Sequence, residues 1–251
     1  MRSAQRRRPP SSQLALAAVA ALALEACGPS TQMPNANTAE THDQYVEAYN
    51  IVSAIDYLPF EYAVDGCYAR SLYMSMELAT QGIPSRSVFA KSTSNVPLET
   101  QDGTEWGYHV APLIKDGSNG GETVIDPSMK AGAYLTMDQW IYDMEFSQAE
   151  IDIVSVQGSY YGSPPETADP AVDDFASLKP FNGKDIVNAC NVLYNYLGSA
   201  GLNVESLAKR RAHLVQRTGE LAEVLARKGK LVGAEALNGA SCGGQDIEDN
   251  T

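Results

Sequence analysis

The chain has 251 residues, of which 44% are hydrophobic and 20% are charged, a composition typical of a globular protein with a substantial core. Its formal net charge at pH 7 is −13, which argues against nucleic acid or an anionic membrane surface as the main partner. The length favours one catalytic-sized domain with a smaller appendage over two full domains. None of these quantities indicates a reaction type.

Residues 1–26 have the pattern of an export signal. Four arginines precede an apolar run, Leu14 to Leu24, that is too short to span a bilayer. The segment ends at Ala26, and a small residue before Cys27 resembles the cleavage point of a bacterial lipoprotein, where the cysteine is lipidated. We therefore predict a lipoprotein-type signal peptide, lipidation of Cys27, and a protein that is exported to the bacterial cell envelope or secreted. A plain secretory signal or an uncleaved anchor is the alternative, and both also predict export.

The next two segments lead into the main domain. Residues 27–43 are small, polar and proline-containing, which is typical of a flexible tether. From Tyr45 to Ile55 the apolar residues recur at helical spacing, and this pattern predicts a short helix that ends before Pro59. We therefore expect the main domain to begin at residue 44.

Cys67 lies where a turn meets a helix. Asp65 and Gly66 form a turn signal, and residues 67–81 then follow the helical period up to Gly82. The first turn of a helix has unpaired backbone N–H groups and the positive end of the macrodipole, so a thiol placed there ionises more easily, and the thiolate is the nucleophile. Cys67 is therefore a candidate nucleophile, and a small buried cysteine at a helix start is the alternative.

The strongest predicted strand covers residues 106–114. Strict alternation would place Trp106 and Tyr108 on one face and His109 among small residues on the other, so we expect open space in front of the imidazole. Pro112 predicts that this strand is an edge strand or is bulged, because proline cannot donate a hydrogen bond to a ladder.

The segments around this strand complete a predicted sheet. Residues 86–91 form a strand pattern, and residues 92–104 have the composition of a surface loop. The pattern of residues 107–126 predicts a β-hairpin, which would bring His109 and Asp126 to the same end of adjacent strands.

Further elements follow the hairpin. Thr136 and Gln139 have the spacing of a capping box and predict a short helix, and residues 151–156 predict a strand. We place the end of the main domain at residue 166 and a linker, rich in proline and aspartate, at residues 167–184.

Residues 185–238 predict a helical C-terminal segment, followed by a tail at residues 239–251. Asp185 is the predicted cap of the first helix, and a second helix over residues 204–232 carries many basic side chains. That basic surface is either a docking site for an acidic partner or a solvated helix face. Cys190 and Cys242 can pair as a disulfide in an exported chain, and two buried free thiols are the alternative.

Cys67, His109 and Asp126 together satisfy the requirements of thiol acyl transfer. This chemistry needs a nucleophile at a helix start, an imidazole that takes and returns its proton, and an oxygen or amide that orients the imidazole. The same order on helix, strand and strand is found in papain-like and transglutaminase-like folds. We predict an α+β fold of this kind, in which the helix with Cys67 packs on an antiparallel sheet. The three histidines of the chain are too scattered to predict a zinc site.

Three separated blocks resemble the bacterial protein-glutaminase family, whose members deamidate glutamine side chains in intact proteins. The blocks are Val64-Asp65-Gly66-Cys67-Tyr68-Ala69-Arg70, Tyr108-His109-Val110-Ala111 and Ile125-Asp126-Pro127-Ser128. Trp140 and residues 160–164 also resemble that family, so the resemblance covers about residues 60–165. It implies a Cys67–His109–Asp126 triad without cofactor or metal, a protein or peptide substrate with accessible glutamine, and ammonia release through a thioester.

The candidate substrate-binding residues are Trp106, Tyr108 and Asp65. Trp106 and Tyr108 would wall the glutamine slot, and the alternative is that they only pack the sheet. The two C-terminal helices have no counterpart in the family; they could cover the cleft, or bind an inhibitor or immunity partner.

The triad alone does not decide the reaction. A transglutaminase or a cysteine peptidase uses the same three residues and differs in the nucleophile that resolves the acyl-enzyme or in the amide that is cut. A surface-anchored lipoprotein that binds a partner without catalysis is the alternative from a different class. Deamidation of protein-bound glutamine is the reaction that we expect.

Overall fold

The structure of the protein is a computed structural model that describes residues 44–94, 96–100, 102–115, 121–129, 134–145, 150–168, 178–238 and 242–243. The chain divides into two units, Met1–Ala39 and Glu40–Thr251, and every described residue belongs to the second unit. The predicted signal peptide, the lipidation site Cys27 and the tether therefore lie outside the described residues. Most of the predicted tail and part of the predicted linker lie outside them as well.

The described residues form helices, short strands and a final 3-10 turn. The helices are α1 Gln44–Ser53, α2 Cys67–Gln81, α3 Met137–Tyr142, α4 Gly183–Ser199 and α5 Val204–Arg227, and the 3-10 turn is Ala234–Leu237. The strands are β1 Arg86–Ser92, β2 Leu98–Glu99, β3 Glu105–Trp106, β4 Tyr108–Lys115, β5 Glu122–Ile125, β6 Tyr134–Thr136, β7 Ile151–Gln157, β8 Phe181–Asn182 and β9 Leu231–Val232.

The main sheet brings His109 and Asp126 to one side of the same strand pair. Its order is β6-β5-β4-β1-β7, and all neighbouring strands run antiparallel. β4 and β5 pair with Leu113 opposite Val124, a register that puts Asp126 level with Ala111, two residues from His109. Residues two apart on a strand share a face. The predicted hairpin and the predicted α+β class, with α2 packed on an antiparallel sheet, are confirmed.

β4 is an internal strand, so the prediction that Pro112 marks a sheet edge is wrong. The pairing of β4 with β1 is continuous, with Pro112 opposite Ser87 and no bulge. The pairing of β4 with β5 begins only at Leu113. Pro112 therefore lies beside one paired strand only, a position where a residue without an N–H group is tolerated.

The prediction that Trp106 belongs to the same strand as His109 is also wrong. Trp106 lies in β3, which pairs with β2 in a separate two-stranded sheet, and Gly107 separates β3 from β4. β2 itself falls inside the segment predicted as a loop. Because the strand is interrupted at Gly107, the alternation of side chains is not carried across it.

α2 is the helix around which the hydrophobic core is built. The sequence predicts one apolar face, with Leu72, Met76 and Ala79, but nearly every residue of the helix is buried, from Cys67 to Thr80. One part of its surface packs on the sheet, and the rest packs on α1, α4 and α5. Each large apolar side chain that is fully buried here stabilises the fold by roughly 1.5–3 kcal/mol.

The two C-terminal helices share this core with α2, through Leu193, Leu214, Leu221 and other buried side chains. Their predicted bounds need two corrections. The side chain of Asn182, and not that of Asp185, caps α4, by accepting a hydrogen bond from the backbone N–H of Lys184. α5 ends at Arg227 rather than at residue 232, because the chain turns there into β9, which pairs with β8. Among the described residues, no helix is both long enough and apolar enough to cross a membrane.

Candidate active site

Cys67 is the first residue of α2. Gly66, which precedes it, has φ 78° and ψ 13°, and among the described residues no side chain forms an N-cap hydrogen bond with the helix. Glycine adopts this left-handed conformation most easily, because it has no Cβ atom. The thiol is 5% exposed and packs with Phe89 and Val110 of the sheet. The structure therefore places a cysteine at a helix start whose N-cap residue, Gly66, supplies no side-chain acceptor to the first N–H groups.

His109 and Asp126 form a fully buried pair. Nε2 of His109 lies 2.7 Å from Oδ2 of Asp126, and the two residues are 0% and 1% exposed. The other ring nitrogen, Nδ1, forms no hydrogen bond of regular geometry with the described residues. Cys67 nevertheless contributes to the raised pKa of His109, so the thiol lies within electrostatic range of the imidazole. A loose contact between nucleophile and base is common before substrate binds. The structure thus joins His109 directly to Asp126, whereas Cys67 is near the imidazole without a hydrogen bond of regular geometry to it.

The charge of this pair is set by its own members. Burial lowers the pKa of His109, but the charge and hydrogen bond of Asp126, followed by Cys67, outweigh burial and raise the pKa to about 9. Burial raises the pKa of Asp126, but His109, Ser128 and Trp140 outweigh it and lower the pKa to about 2. At neutral pH the imidazole is therefore protonated and the carboxylate is ionised.

The carboxylate of Asp126 is held by four hydrogen bonds. Oδ2 accepts from Nε2 of His109 and from Nε1 of Trp140, at 2.7 and 2.8 Å. Oδ1 accepts from the backbone N–H and the hydroxyl of Ser128, at 3.2 and 2.5 Å. With both oxygens engaged in this way, Asp126 cannot rotate away from the imidazole without breaking several bonds.

The imidazole is enclosed, so the prediction of open space in front of His109 is wrong. The ring of Trp106 stacks on the imidazole, with centroids 4.4 Å apart and planes 14° apart. The ring of Trp140 is tilted against the imidazole, with centroids 5.8 Å apart. Trp106 reaches this position because β3 is separate from β4, as described above. The two indoles fix the plane of the imidazole and exclude water from the pair with Asp126.

The region that holds this site matches a known family. Residues 39–144 match a family described as glutaminase. This region is glutaminase-like. The matched segment includes Cys67, His109, Asp126 and Trp140, whereas α4 and α5 lie beyond it. The resemblance inferred from the sequence is thereby confirmed over these residues. No curated protein matches the chain in sequence.

Solved protein-glutaminase structures resemble part of the chain. The NMR structure of protein-glutaminase from Chryseobacterium proteolyticum is 25% identical with a TM-score of 0.41, and the match covers 49% of this chain and 74% of that one. A crystal structure of a mutant pro-protein-glutaminase is 23% identical with a TM-score of 0.46, over 64% of this chain and 56% of that one. A crystal structure of protein-glutaminase is 24% identical with a TM-score of 0.41, over 53% and 79%.

Three residues that carry the family resemblance contact or influence this site, but the sequence analysis gave them no role in it. Ser128 could have been found, because a serine two residues after an aspartate has the spacing of a side-chain turn. Arg70 is 1% exposed, and although burial lowers its pKa, the negative charges of Cys67 and Asp126 partly offset that effect. A charged residue inside an otherwise buried helix was the available signal for Arg70. Trp140 gave no local signal of its role, because α3 reaches Asp126 only through tertiary packing.

The predicted substrate-binding residues have intramolecular contacts. Nε1 of Trp106 donates to the backbone oxygen of Ala63 at 2.8 Å, and its ring covers His109. Tyr108 is half-buried and its ring contacts that of Phe89. Burial, together with the charge of Cys67, raises its pKa well above the usual range. Both carboxylate oxygens of Asp65 accept hydrogen bonds from within the chain.

Two further cysteines and the histidine of α5 lie away from this site. Cys190 and Cys242 are joined by a disulfide, with Cα atoms 5.4 Å apart. His213 pairs with Asp56 at 2.8 Å on the surface. Among the described residues, no three His, Cys, Asp or Glu side chains are grouped so that they could hold a metal ion.

We predict that Trp140→Phe lowers kcat about tenfold, because the carboxylate of Asp126 loses one N–H donor. A hydrogen bond to a charged group contributes about 1.5–3 kcal/mol. Trp106→Phe is the matched control: it also trims an indole that covers His109, but its N–H bonds to Ala63 and not to Asp126. Steady-state kinetics with thermal unfolding of both variants measures the difference. Equal losses of kcat in the two variants would show that the indole N–H of Trp140 has no special role.

Proposed function

We propose that this protein deamidates protein-bound glutamine to glutamate, with Cys67 as nucleophile, His109 as acid and base, and Asp126 as the residue that orients His109. The observation that carries the proposal is the buried His109–Asp126 pair beside a cysteine at an uncapped helix start, inside the segment that matches the glutaminase family.

The first half of the reaction forms a thioester. The thiolate of Cys67 attacks the carboxamide carbon of the glutamine side chain, and the carbonyl oxygen takes the negative charge. When the C–N bond breaks, His109 donates its proton to the leaving nitrogen, which departs as ammonia. The raised pKa of His109, about 9, keeps that proton in place at neutral pH.

Negative charge on the carbonyl oxygen needs donors that are already in position. The N-cap residue Gly66 has no side chain to accept from the first N–H groups of α2, so these groups, beginning with that of Cys67, can supply the donors. The positive end of the helix dipole acts in the same direction. Removal of a single donor of this kind from an acyl-transfer site typically lowers kcat about 10²- to 10³-fold.

The second half of the reaction releases the product. After ammonia leaves, neutral His109 accepts a proton from a water molecule, and the resulting hydroxide attacks the thioester carbon. The C–S bond breaks, glutamate is formed, and Cys67 and His109 return to their starting protonation states. The carboxylate of Asp126 stabilises the imidazolium in both halves through its 2.7 Å contact with Nε2.

The test is ammonia release from a glutamine-containing protein, followed by mass spectrometry of that protein, with Cys67→Ala as the blank. We expect ammonia only with the unaltered chain, and a mass increase of about one unit for each glutamine converted. Cross-linked substrate or cleaved backbone would instead identify a transglutaminase or a peptidase. Equal ammonia release by both proteins would exclude Cys67 as the nucleophile, and no modification of substrate at all would favour a non-catalytic binding lipoprotein.

A further inference from the structure

The helix α4, which lies outside the glutaminase match, reaches the loop that precedes Cys67. The hydroxyl of Tyr196 donates to Oδ2 of Asp65 at 2.5 Å, across 131 positions of sequence. Its ring stacks on that of Tyr62, with centroids 4.9 Å apart and planes 29° apart. Burial, together with this hydrogen bond and the charge of Asp65, raises the pKa of Tyr196, so the hydroxyl is a donor at neutral pH.

Tyr196 also touches the residue that starts the helix of Cys67. A Cβ atom added to Gly66 would lie 2.7 Å from Cδ2 of Tyr196, which is closer than real Cβ contacts. Gly66 is already in the left-handed region, at φ 78°. The ring of Tyr196 therefore limits the movement of the peptide that sets the start of α2.

The same loop is also held by α2 itself. Nη1 of Arg70 donates to the backbone oxygens of Tyr62 and Asp65, at 2.8 and 2.7 Å. Asp65 closes the turn through Oδ1, which accepts from the backbone N–H of Gly66 at 2.6 Å. The loop of residues 62–66 is thus fixed between a buried guanidinium and a tyrosine of α4.

We propose that Tyr196 is a positioning residue for Cys67, acting through Asp65 and Gly66 to hold the sulfur and the first N–H groups of α2 in place. The idea rests on the proposed function, and it makes α4 a part of the catalytic unit rather than a cover or a partner-binding appendage. A displacement of about 1 Å in such groups can reduce the rate up to about 10²-fold.

The test compares Tyr196→Phe with Tyr194→Phe in the full chain. Both changes remove one hydroxyl from α4, but the ring of Tyr194 packs against Gly243 and the guanidinium of Arg211 instead of the loop before Cys67. We expect Tyr196→Phe to lower kcat about tenfold with KM changed less than about twofold, and Tyr194→Phe to keep kcat within about twofold. The ring stacking on Tyr62 remains in Tyr196→Phe, so this variant should still fold, and thermal unfolding checks it.

A double-mutant cycle tests whether Tyr196 acts through Asp65. If it does, Asp65→Asn combined with Tyr196→Phe lowers kcat no further than the more damaging single change, whereas independent roles would multiply. A change in KM, and not in kcat, on Asp65→Asn would instead assign Asp65 to substrate binding and overturn the proposal.

The rate at which Cys67 is alkylated can be measured without the enzymatic reaction, so it tests the positioning role of Tyr196 separately from the proposed function. We expect iodoacetamide to alkylate Cys67, measured on its peptide by mass spectrometry, about tenfold more slowly in Tyr196→Phe than in Tyr194→Phe. If the unaltered chain releases no ammonia but this difference is present, the proposed function fails and the positioning role stands. If alkylation and kcat are the same in both variants, Tyr196 has no such role.

Discussion

Replacing Asp126 by asparagine is expected to lower kcat for glutamine deamidation about 10³- to 10⁴-fold, the effect typical when the carboxylate that orients a catalytic imidazole becomes an amide. Asp126 accepts four hydrogen bonds, two on each oxygen. Asparagine has one accepting oxygen, so its NH₂ group must face two donors, either those of Ser128 or those of His109 and Trp140. One orientation breaks the hydrogen bonds from His109 and Trp140, and the other breaks those from Ser128.

The pH dependence of the Asp126→Asn variant should change in a defined direction. Asp126 is the largest upward influence on the pKa of His109, which is about 9, and without it only the smaller effect of Cys67 opposes the lowering of that pKa by burial. The alkaline limb of kcat/KM, where the imidazolium loses its proton, should therefore move from about pH 9 to lower pH. Activity measured at close pH intervals from 5 to 10 records this shift.

Asp126→Asn should also make the free energy of unfolding depend less on pH. The pKa of His109 is higher in the folded chain than its ordinary value of 6.5, so its pairing contributes stability fully below pH 6.5 and loses it as pH rises through about 9. The lowered pKa of Asp126 contributes stability above pH 3.8 that is lost as pH falls through about 2. Urea unfolding should show that the chain loses stability between pH 6.5 and 9, and that Asp126→Asn loses less.

Asp152→Asn is the matched control for these measurements. Asp152 lies on β7 of the same sheet, is about half exposed, and pairs with Lys91 at 3.2 Å. We expect its kcat and pH profile to stay within about twofold of the unaltered chain, since exposed ion pairs contribute about 0–1 kcal/mol. An Asp126→Asn variant that keeps kcat within tenfold, with the same alkaline limb, would remove Asp126 from the proposed mechanism.

The parts of the site that depend on local patterns could be predicted from the sequence. A turn signal followed by a helical period is enough to place Cys67 at a helix start. An antiparallel hairpin has one register that keeps its apolar residues on the core side, and that register brings His109 close to Asp126. The capping box of Thr136 and Gln139 is read directly from their spacing, and the structure confirms it.

The surroundings of the imidazole depend on tertiary packing and could not be predicted in this way. The pattern of residues 106–114 alternates as one strand, and although Gly107 is a sign of an interruption, it does not indicate that Trp106 covers His109. Trp140 reaches Asp126 from another helix, and Tyr196 reaches Asp65 from a region far along the chain. A single sequence indicates which residues are apolar or aromatic, but it does not indicate which of them meet.

The burial of α2 on all sides has a direct consequence for the C-terminal helices. Oε1 of Glu77, in the middle of α2, accepts from the hydroxyl of Tyr57 at 2.7 Å and from Nε of Arg217 at 2.8 Å. Its Oε2 accepts from Nη2 of Arg217 at 2.6 Å, and Glu77 is only 4% exposed. Arg217 of α5 is therefore the ion-pair partner of a carboxylate that is buried beside the hydrophobic core.

We predict that Arg217→Ala lowers the free energy of unfolding by about 3 kcal/mol, because removal of one partner leaves a buried charge without compensation. For a chain of this size, such a loss corresponds to a fall in Tm of about 10 °C. Urea unfolding and calorimetry at pH 7 measure both quantities. Adding Glu77→Gln removes the uncompensated charge and should recover part of the loss, a coupling that a double-mutant cycle quantifies.

Arg227→Ala, in the same helix, is the matched control. Arg227 pairs with Glu223, and both side chains are well exposed, so its removal should change the free energy of unfolding by less than about 0.5 kcal/mol. If α5 belongs to the folding unit of α2, the two variants differ strongly and both unfold in one transition. Equal stabilities, or a separate early transition in Arg217→Ala with kcat retained, would instead mean that α5 can detach from α2 while Cys67 stays in its working geometry.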